Sequence, residues 1–318
     1  MKKIRIFNYP WHLAHQYELQ KFKNVEWSWL RQYHRKYNDT PRGDFFKGEW
    51  VKDYEPGKYD LALLHLDQQC LEQNIWDRGK GQLYRELNEV ITDIPKIVIM
   101  HGTPFYPERF QTNEELIDLA KSAIGDNYCI TNSKKAAEQW GFGHPIWHGM
   151  DADEWWDLPK EPRVVTMIGP AGLPFYYDRD FLRAIKEYLT EEGITHCHIT
   201  ADWNAKNWDE YREFLGRSLI YVNPTRESPM PRARTEAMLS GCCVLTTPHQ
   251  DADSFIEDGK NGILIPRNPK VVVDIIKELI NDYKTAIKIG QAGKETAKKL
   301  FTQKRFEQEW QDLIKKLC

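Results

Sequence analysis

Short apolar runs alternate with segments of helical periodicity, and the pattern is gone through twice. In the first half the strand-like runs are residues 4–8, 60–66, 96–101, 128–131 and 145–148. Helical patterns lie between them near 12–22, 82–92, 113–124 and 133–140, the last with Ser133 placed as its N-cap. The runs lack a period of two. A strand that is apolar on both faces belongs in a parallel sheet covered by helices on both sides. The second half repeats the theme. Its strands are expected at 164–168, 197–200, 219–222, 243–246 and 262–265, and its helices at 180–190, 209–215, 232–240, 252–258, 269–283 and 285–300. An amphipathic segment, 303–317, ends the sequence.

The two halves are joined by residues 151–163, DADEWWDLPKEPR, which are acidic, carry two prolines and show no periodicity. The expected architecture is α/β, with two Rossmann-like domains at 1–152 and 153–302. Parallel α/β sheets bind ligands at the carboxyl ends of their strands, and the default site of two such domains is the cleft between them.

A length of 318 residues suits two domains, and 41% hydrophobic residues suffice for two cores. Charged residues make up 29% but nearly cancel to −3, so the bulk charge does not indicate a nucleic-acid or anionic-membrane partner. The N-terminus reads as a first strand rather than a signal peptide, and no run approaches the ~18 apolar residues of a membrane span. Six cysteines, at 70, 129, 197, 242, 243 and 318, form no C-x-x-C pair and read as reduced thiols of a cytoplasmic protein. Twelve tryptophans are unusual. Several aromatics stand in polar, loop-like sequence: Tyr9 and Trp11, Trp155 and Trp156, and Trp203. Loop packing is their default reading, and stacking on sugar rings is the functional one.

The stretch 221–248, YVNPTRESPMPRARTEAMLSGCCVLTTP, carries the most chemistry. A strand ends at Pro224, a proline-rich loop follows, and a helix runs from Arg232 until Gly241 stops it. The free N–H groups and dipole at its start favour a phosphate, with Arg232 and Arg234 adding charge. Glu236 falls early in the helix, where a carboxylate can accept both hydroxyls of a ribose diol. Glu227, in the loop, is placed to hold a sugar hydroxyl. Two features are set aside. His196 and His198 have a metal-like spacing but are read as alternating faces of a strand, with no complementary pair. Asp251 and Asp253 read as a helix N-cap rather than a D-x-D metal motif.

Glu236-Ala-Met-Leu-Ser-Gly241 followed by the apolar strand, with Glu227 upstream, is similar to the retaining GT-B glycosyltransferases of family 4. Asn132-Ser-Lys134, Trp147-His-Gly-Met-Asp151 and Asp258-Gly-Lys-Asn-Gly262 resemble further family segments in the family's order. The resemblance implies that Glu236 binds the nucleotide ribose and that Glu227 touches the donor sugar. Eight residues separate the two glutamates here, one more than the family usually has. It also implies that His101, at a strand end, faces the donor sugar, and that segment 303–318 returns as a helix to the first domain. The family's Arg and Lys after the first strand of the second domain are replaced by a loop with Gly169 and Gly172. Arg179, Arg226 and Arg232 are the candidate diphosphate cations there, with Met230, Pro231 and Thr235 completing the donor site. The loop after the first strand, with Trp11, His12 and His15, borders the acceptor in this fold. His12 and His15, three apart, share a face of a helix start, where solvation or local bonding is the default and an acceptor or metal the alternative.

The reading implied by the resemblance is a cytoplasmic glycosyltransferase that moves a hexose-type sugar, with retention, from a nucleoside-diphosphate sugar to a hydroxyl, without a metal or other cofactor. The hydroxyl belongs to a glycan, a small molecule or a modified nucleic-acid base. The rivals are a catalytically idle sugar-nucleotide-binding protein and a nucleotide-sugar epimerase on the same architecture.

Overall fold

Strands that are apolar on both faces require helices on both sides, and the computed structural model has this arrangement twice. It describes residues 3–31, 42, 45–71, 78–106, 112–167, 178–198 and 205–318. The contacts divide it into two units. One comprises Met1–Asp39, Asp44–Gly149 and Gln303–Cys318, and the other Thr40–Gly43 and Met150–Thr302.

The first unit holds strands β1 (Ile4–Asn8), β2 (Val25–Leu30), β3 (Glu49–Val51), β4 (Leu61–Leu66), β5 (Lys96–Met100), β6 (Tyr128–Thr131) and β7 (His144–Pro145). They form one parallel sheet in the order β3-β2-β1-β4-β5-β6-β7. Its helices are α1 (Leu13–Leu19), α2 (Gln68–Leu71), α3 (Arg78–Val90), α4 (Asn113–Ile124) and α5 (Lys134–Trp140). The expected cap is present, with Ser133 Oγ accepting from the Ala136 amide at 2.9 Å. The C-terminal helix Gln303–Leu317 lays Phe306, Trp310, Leu313 and Ile314 onto the core side chains Ile6, Leu61, Leu63, Ile97 and Ile99. That spacing is the apolar stripe of an amphipathic helix.

Three sequence expectations are corrected here. β2 and β3 were not anticipated. Trp27 and Trp29, two apart in β2, are both core residues and stack at 5.2 Å. The strand expected at 145–148 reduces to His144–Pro145. Tyr9, Trp11 and Trp155 are buried, so these aromatics pack the interior and do not form an exposed rim.

The second unit holds β8 (Glu161–Thr166), β9 (His196–His198), β10 (Ser218–Asn223), β11 (Cys243–Thr246) and β12 (Ile263–Leu264), parallel in the order β12-β11-β10-β8-β9. Its helices are α6 (Arg179–Glu191), α7 (Trp208–Arg217), α8 (Arg232–Leu239), α9 (Ala252–Phe255), α10 (Pro269–Asn281) and α11 (Tyr283–Leu300). Asp178, Asn207 and Asn268 cap α6, α7 and α10 through their side chains. The segment read as a linker contains a 3-10 turn, Ala152–Glu154, and runs into β8 at Glu161. Among the described residues no helix is long and apolar enough to cross a membrane.

The turn between α8 and β11 fixes where α8 stands. Gly241 takes φ 73°, its amide bonds Met238 O at 2.9 Å, and the Cys242 amide reaches Ala237 O at 3.0 Å. These two bonds make a Schellman ending. α11 crosses this turn so closely that a Cβ on Gly290 would stand 2.4 Å from Gly241 O and 3.1 Å from the Cys243 amide nitrogen. Gly290→Ala therefore lowers stability by ~1–3 kcal/mol, because the backbone clash outweighs the gain of ~1 kcal/mol in helix propensity. Urea unfolding of the variant beside the parent checks this; a more stable variant would mean that the two elements can part without cost.

Candidate functional site

In the second unit β10 ends at Asn223, the loop carries Pro224, Pro229 and Pro231, and α8 begins at Arg232 with Pro231 in the N-cap position. Glu236 is the fifth residue of α8 and is only 3% exposed. Its Oε2 accepts from the Tyr211 hydroxyl at 2.6 Å, and its Oε1 accepts from Arg42 Nη2 at 3.2 Å. Arg42 groups with this unit, and its side chain is 2% exposed. The guanidinium lies 4.2 Å above the Trp208 ring, and Trp208 stacks on Tyr211 at 5.4 Å. Burial, and then the Glu236 carboxylate, raise the Tyr211 pKa well above its usual value, so the phenol stays a donor. Sequence reasoning missed all three partners. Trp208 and Tyr211 carry a signal, since residues three apart share a helix face. Arg42 is 194 positions from Glu236 and carries none.

The other expected donor residues divide. Glu227 is part-buried in the loop; burial pushes its carboxyl up, against a hydrogen bond with Gln250 and the charges of Arg226 and Arg267. Arg226 is exposed, Arg232 is part-buried, and Met230, Pro231 and Thr235 are buried. Arg179 opens α6 and is exposed, behind Asp178, which pairs with Arg267 at 2.6 Å. Gly169 and Gly172 lie outside the described residues, as does Trp203. Arg234, which also follows the helix start, is fully buried, with its guanidinium 4.9 Å from the Phe255 ring and 3.3 Å from Met230 Sδ. Burial lowers its pKa to about 10.

In the first unit a second polar cluster stands where β1, β4 and β5 end. His101 follows β5 directly and is 7% exposed. Its Nε2 is 2.9 Å from His65 Nδ1, and its Nδ1 is 3.3 Å from Asn132 Nδ2. His12 and His15 do share a side of the helix start, their rings lying 4.5 and 5.4 Å from that of His101. His12 is exposed, whereas Trp11 and His15 are buried, so the expected acceptor rim is in part packing around His101. His65 was missed because it sits inside an apolar strand.

The two features set aside need amendment. His196 and His198 share one face of β9, as residues two apart must. Both rings approach Thr166 Oγ1, at 3.2 and 3.3 Å. Asp251 occupies the N-cap position of α9, but its side chain makes no cap hydrogen bond. Among the described residues no three His, Cys, Asp or Glu side chains are grouped to hold a metal.

The buried His65 and the half-buried His196 give the fold a pH dependence. Burial lowers the pKa of His65 well below 6.5 and that of His196 to about 4. The unfolded chain therefore takes up protons below ~6.5 that the folded chain refuses. Stability is complete above that pH and falls as the pH drops from 6.5 towards 4. Urea midpoints should be lower at pH 5 than at pH 7.5, with a smaller difference in His196→Gln; equal midpoints at the two pH values would count against neutral rings.

Residues 161–296 match the family Glycosyl transferases group 1. An uncharacterized glycosyltransferase of Methanocaldococcus jannaschii is 26% identical over 128 residues, which are 40% of this chain and 36% of that protein. Spore coat protein SA of Bacillus subtilis is 24% identical over 147 residues, 46% of this chain and 39% of that protein. The matches thus span well under half the length of these relatives. Among solved structures, Anabaena HepE in complex with UDP-glucose superposes with a TM-score of 0.68 at 14% identity, covering 99% of this chain and 100% of HepE, a likeness of fold. Residues 161–296 are thus similar to the Glycosyl transferases group 1 family, and the fold is that of the GT-B glycosyltransferases.

Proposed function

We propose that the chain is a retaining, metal-independent glycosyltransferase that transfers a hexose-type sugar from a nucleoside diphosphate to a hydroxyl acceptor. The observation that carries this reading is Glu236, a carboxylate buried early in α8 within the family segment and held by the Tyr211 hydroxyl and Arg42. A ribose diol would take over the oxygen that Arg42 holds. Two hydroxyl donors to one fixed carboxylate form a pair of charge-assisted hydrogen bonds.

In the reaction the bond between the anomeric carbon and the diphosphate oxygen breaks, and the oxygen leaves with the electron pair. The acceptor oxygen bonds the anomeric carbon and gives up its proton to the departing phosphate oxygen. The leaving charge is met by the free N–H groups at the start of α8 and by arginines, of which Arg226 and Arg232 flank that start. Glu227, whose burial favours the protonated form, holds a donor-sugar hydroxyl. His101 serves the transferred sugar, and His12, the exposed member of its cluster, serves the acceptor. Nucleotide-sugar chemistry and six free cysteines support a cytoplasmic location.

The HepE complex makes uridine the first nucleotide to try. Titration calorimetry with UDP, with and without EDTA, should give EDTA-insensitive binding, weakened by ~1–3 kcal/mol in Glu236→Gln. Calorimetry is preferred to a melting shift, because a change at a buried ion pair also alters the fold's own stability. Binding unchanged in Glu236→Gln would remove the ribose role, and binding lost with EDTA would remove the metal-free reading.

A further inference from the structure

We propose that His65 is a positioning residue that holds His101 as its Nε2–H tautomer, through hydrogen bonds donated from His101 to His65 and from His65 to Asn8 Oδ1, an oxygen that the Tyr9 backbone amide fixes in place. The bonds can be followed atom by atom. The Tyr9 amide donates to Asn8 Oδ1 at 2.8 Å. A backbone N–H only donates, so the Asn8 side chain is oriented with its oxygen here and its nitrogen towards Gln16 Oε1, 3.0 Å away. Asn8 Oδ1 lies 2.9 Å from His65 Nε2. A carbonyl oxygen only accepts, so the His65 proton is on Nε2. Gln16 Nε2 also approaches this ring nitrogen, at 3.2 Å, but two donors do not bond each other, and the shorter contact decides.

His65 is fully buried, and burial followed by the neighbouring His15 and His12 keeps it neutral. A neutral ring with its proton on Nε2 has its lone pair on Nδ1. That atom is 2.9 Å from His101 Nε2, which must therefore be the donor. His101 Nδ1 is then left as an acceptor, 3.3 Å from the Asn132 amide nitrogen. A sugar hydroxyl that took the place of the Asn132 amide would thus meet His101 at an accepting nitrogen and not at a proton donor. The surroundings hold both rings in place. Tyr9 Oη donates to the His65 carbonyl at 3.0 Å and accepts from its amide at 2.8 Å. The Trp11 ring is within 16° of parallel to both imidazoles, at 5.8 and 6.0 Å.

The catalytic consequence rests on the reading of His101 given above; the tautomer itself does not. The test therefore reads both. Protein labelled with [15N]histidine gives each neutral ring's tautomer from its two-bond 1H–15N correlations at pH 7.5, with His101 identified by the signals lost in His101→Gln. Wild type should show Nε2–H at His65 and at His101. His65→Leu removes the acceptor, and His101 should then mix tautomers. His65→Asn puts an amide oxygen near the place of Nδ1 and should restore Nε2–H.

In transfer assays His65→Leu should lower kcat by about tenfold, the worth of one hydrogen bond, with the donor KM unchanged, and His65→Asn should recover most of it. Wild-type His101 as Nδ1–H, or an unchanged tautomer in His65→Leu, overturns the proposal. If His65→Leu does not fold, the wild-type spectrum alone decides. The expected spectra without any transferase activity uphold the relay and overturn the functional reading instead.

Discussion

A parallel sheet covered on both faces leaves few places where a polar side chain can stand, and the carboxyl ends of its strands are among them. The sequence follows this constraint strand by strand. β1 ends on Asn8, β6 on Thr131, β8 on Thr166, β9 on His198, β10 on Asn223 and β11 on Thr246, and His101 follows β5 at once. Most of these side chains are buried, so each needs a partner nearby. Thr131 Oγ1 reaches Ser133 O, Thr166 Oγ1 receives two histidines, and Asn223 bonds the Tyr221 hydroxyl. The cluster around His101 grows from this rule, with Asn8 and His101 at strand ends and the buried His65 one residue short of one.

The second unit adds a harder problem, a charge pair taken out of water. Glu236 and Arg42 are both almost fully buried. Desolvating two ions costs several kcal/mol, which is recovered only with good geometry and further hydrogen bonds. The Tyr211 hydroxyl supplies one such bond and the Trp208 face a cation–π contact. Such an arrangement is a weak source of stability. A ligand that offers equivalent hydrogen bonds can replace one partner at small net cost, which is what a binding carboxylate requires.

The legible and illegible parts of the sequence divide by range. Helix 113–124, strand 243–246 and the Gly241 turn are set by local periodicity, a cap and a positive φ, and they stand where the sequence placed them. β2 escaped notice because charged and polar residues break up its apolar run, although Trp27 and Trp29, two apart, face one side of a strand. The site shows the same division. Glu236 was legible because its neighbours in sequence set its helix. Its partner Arg42, and the meeting of His65 with His101, depend on which strands lie side by side. The β4–β5 register that pairs Leu66 with Met100 has no local signature.

The two clusters differ in charge, and that difference divides the proposed work. Around His101 the groups with known partners are imidazoles, amides and a phenol, and burial holds His65 neutral. Protonating several close histidines together would be opposed by their mutual repulsion, so this cluster has no ready means of balancing a diphosphate. It has acceptors and donors in fixed directions, which suit sugar hydroxyls. The segment around α8 has the opposite character, with Arg226, Arg232 and Arg234 close to a helix start. Arg234 is too buried to meet a ligand directly, but a guanidinium whose pKa falls only to about 10 stays charged at neutral pH and raises the local potential. Charge alone thus suits the segment around α8 to an anionic group and the cluster around His101 to a neutral polar one.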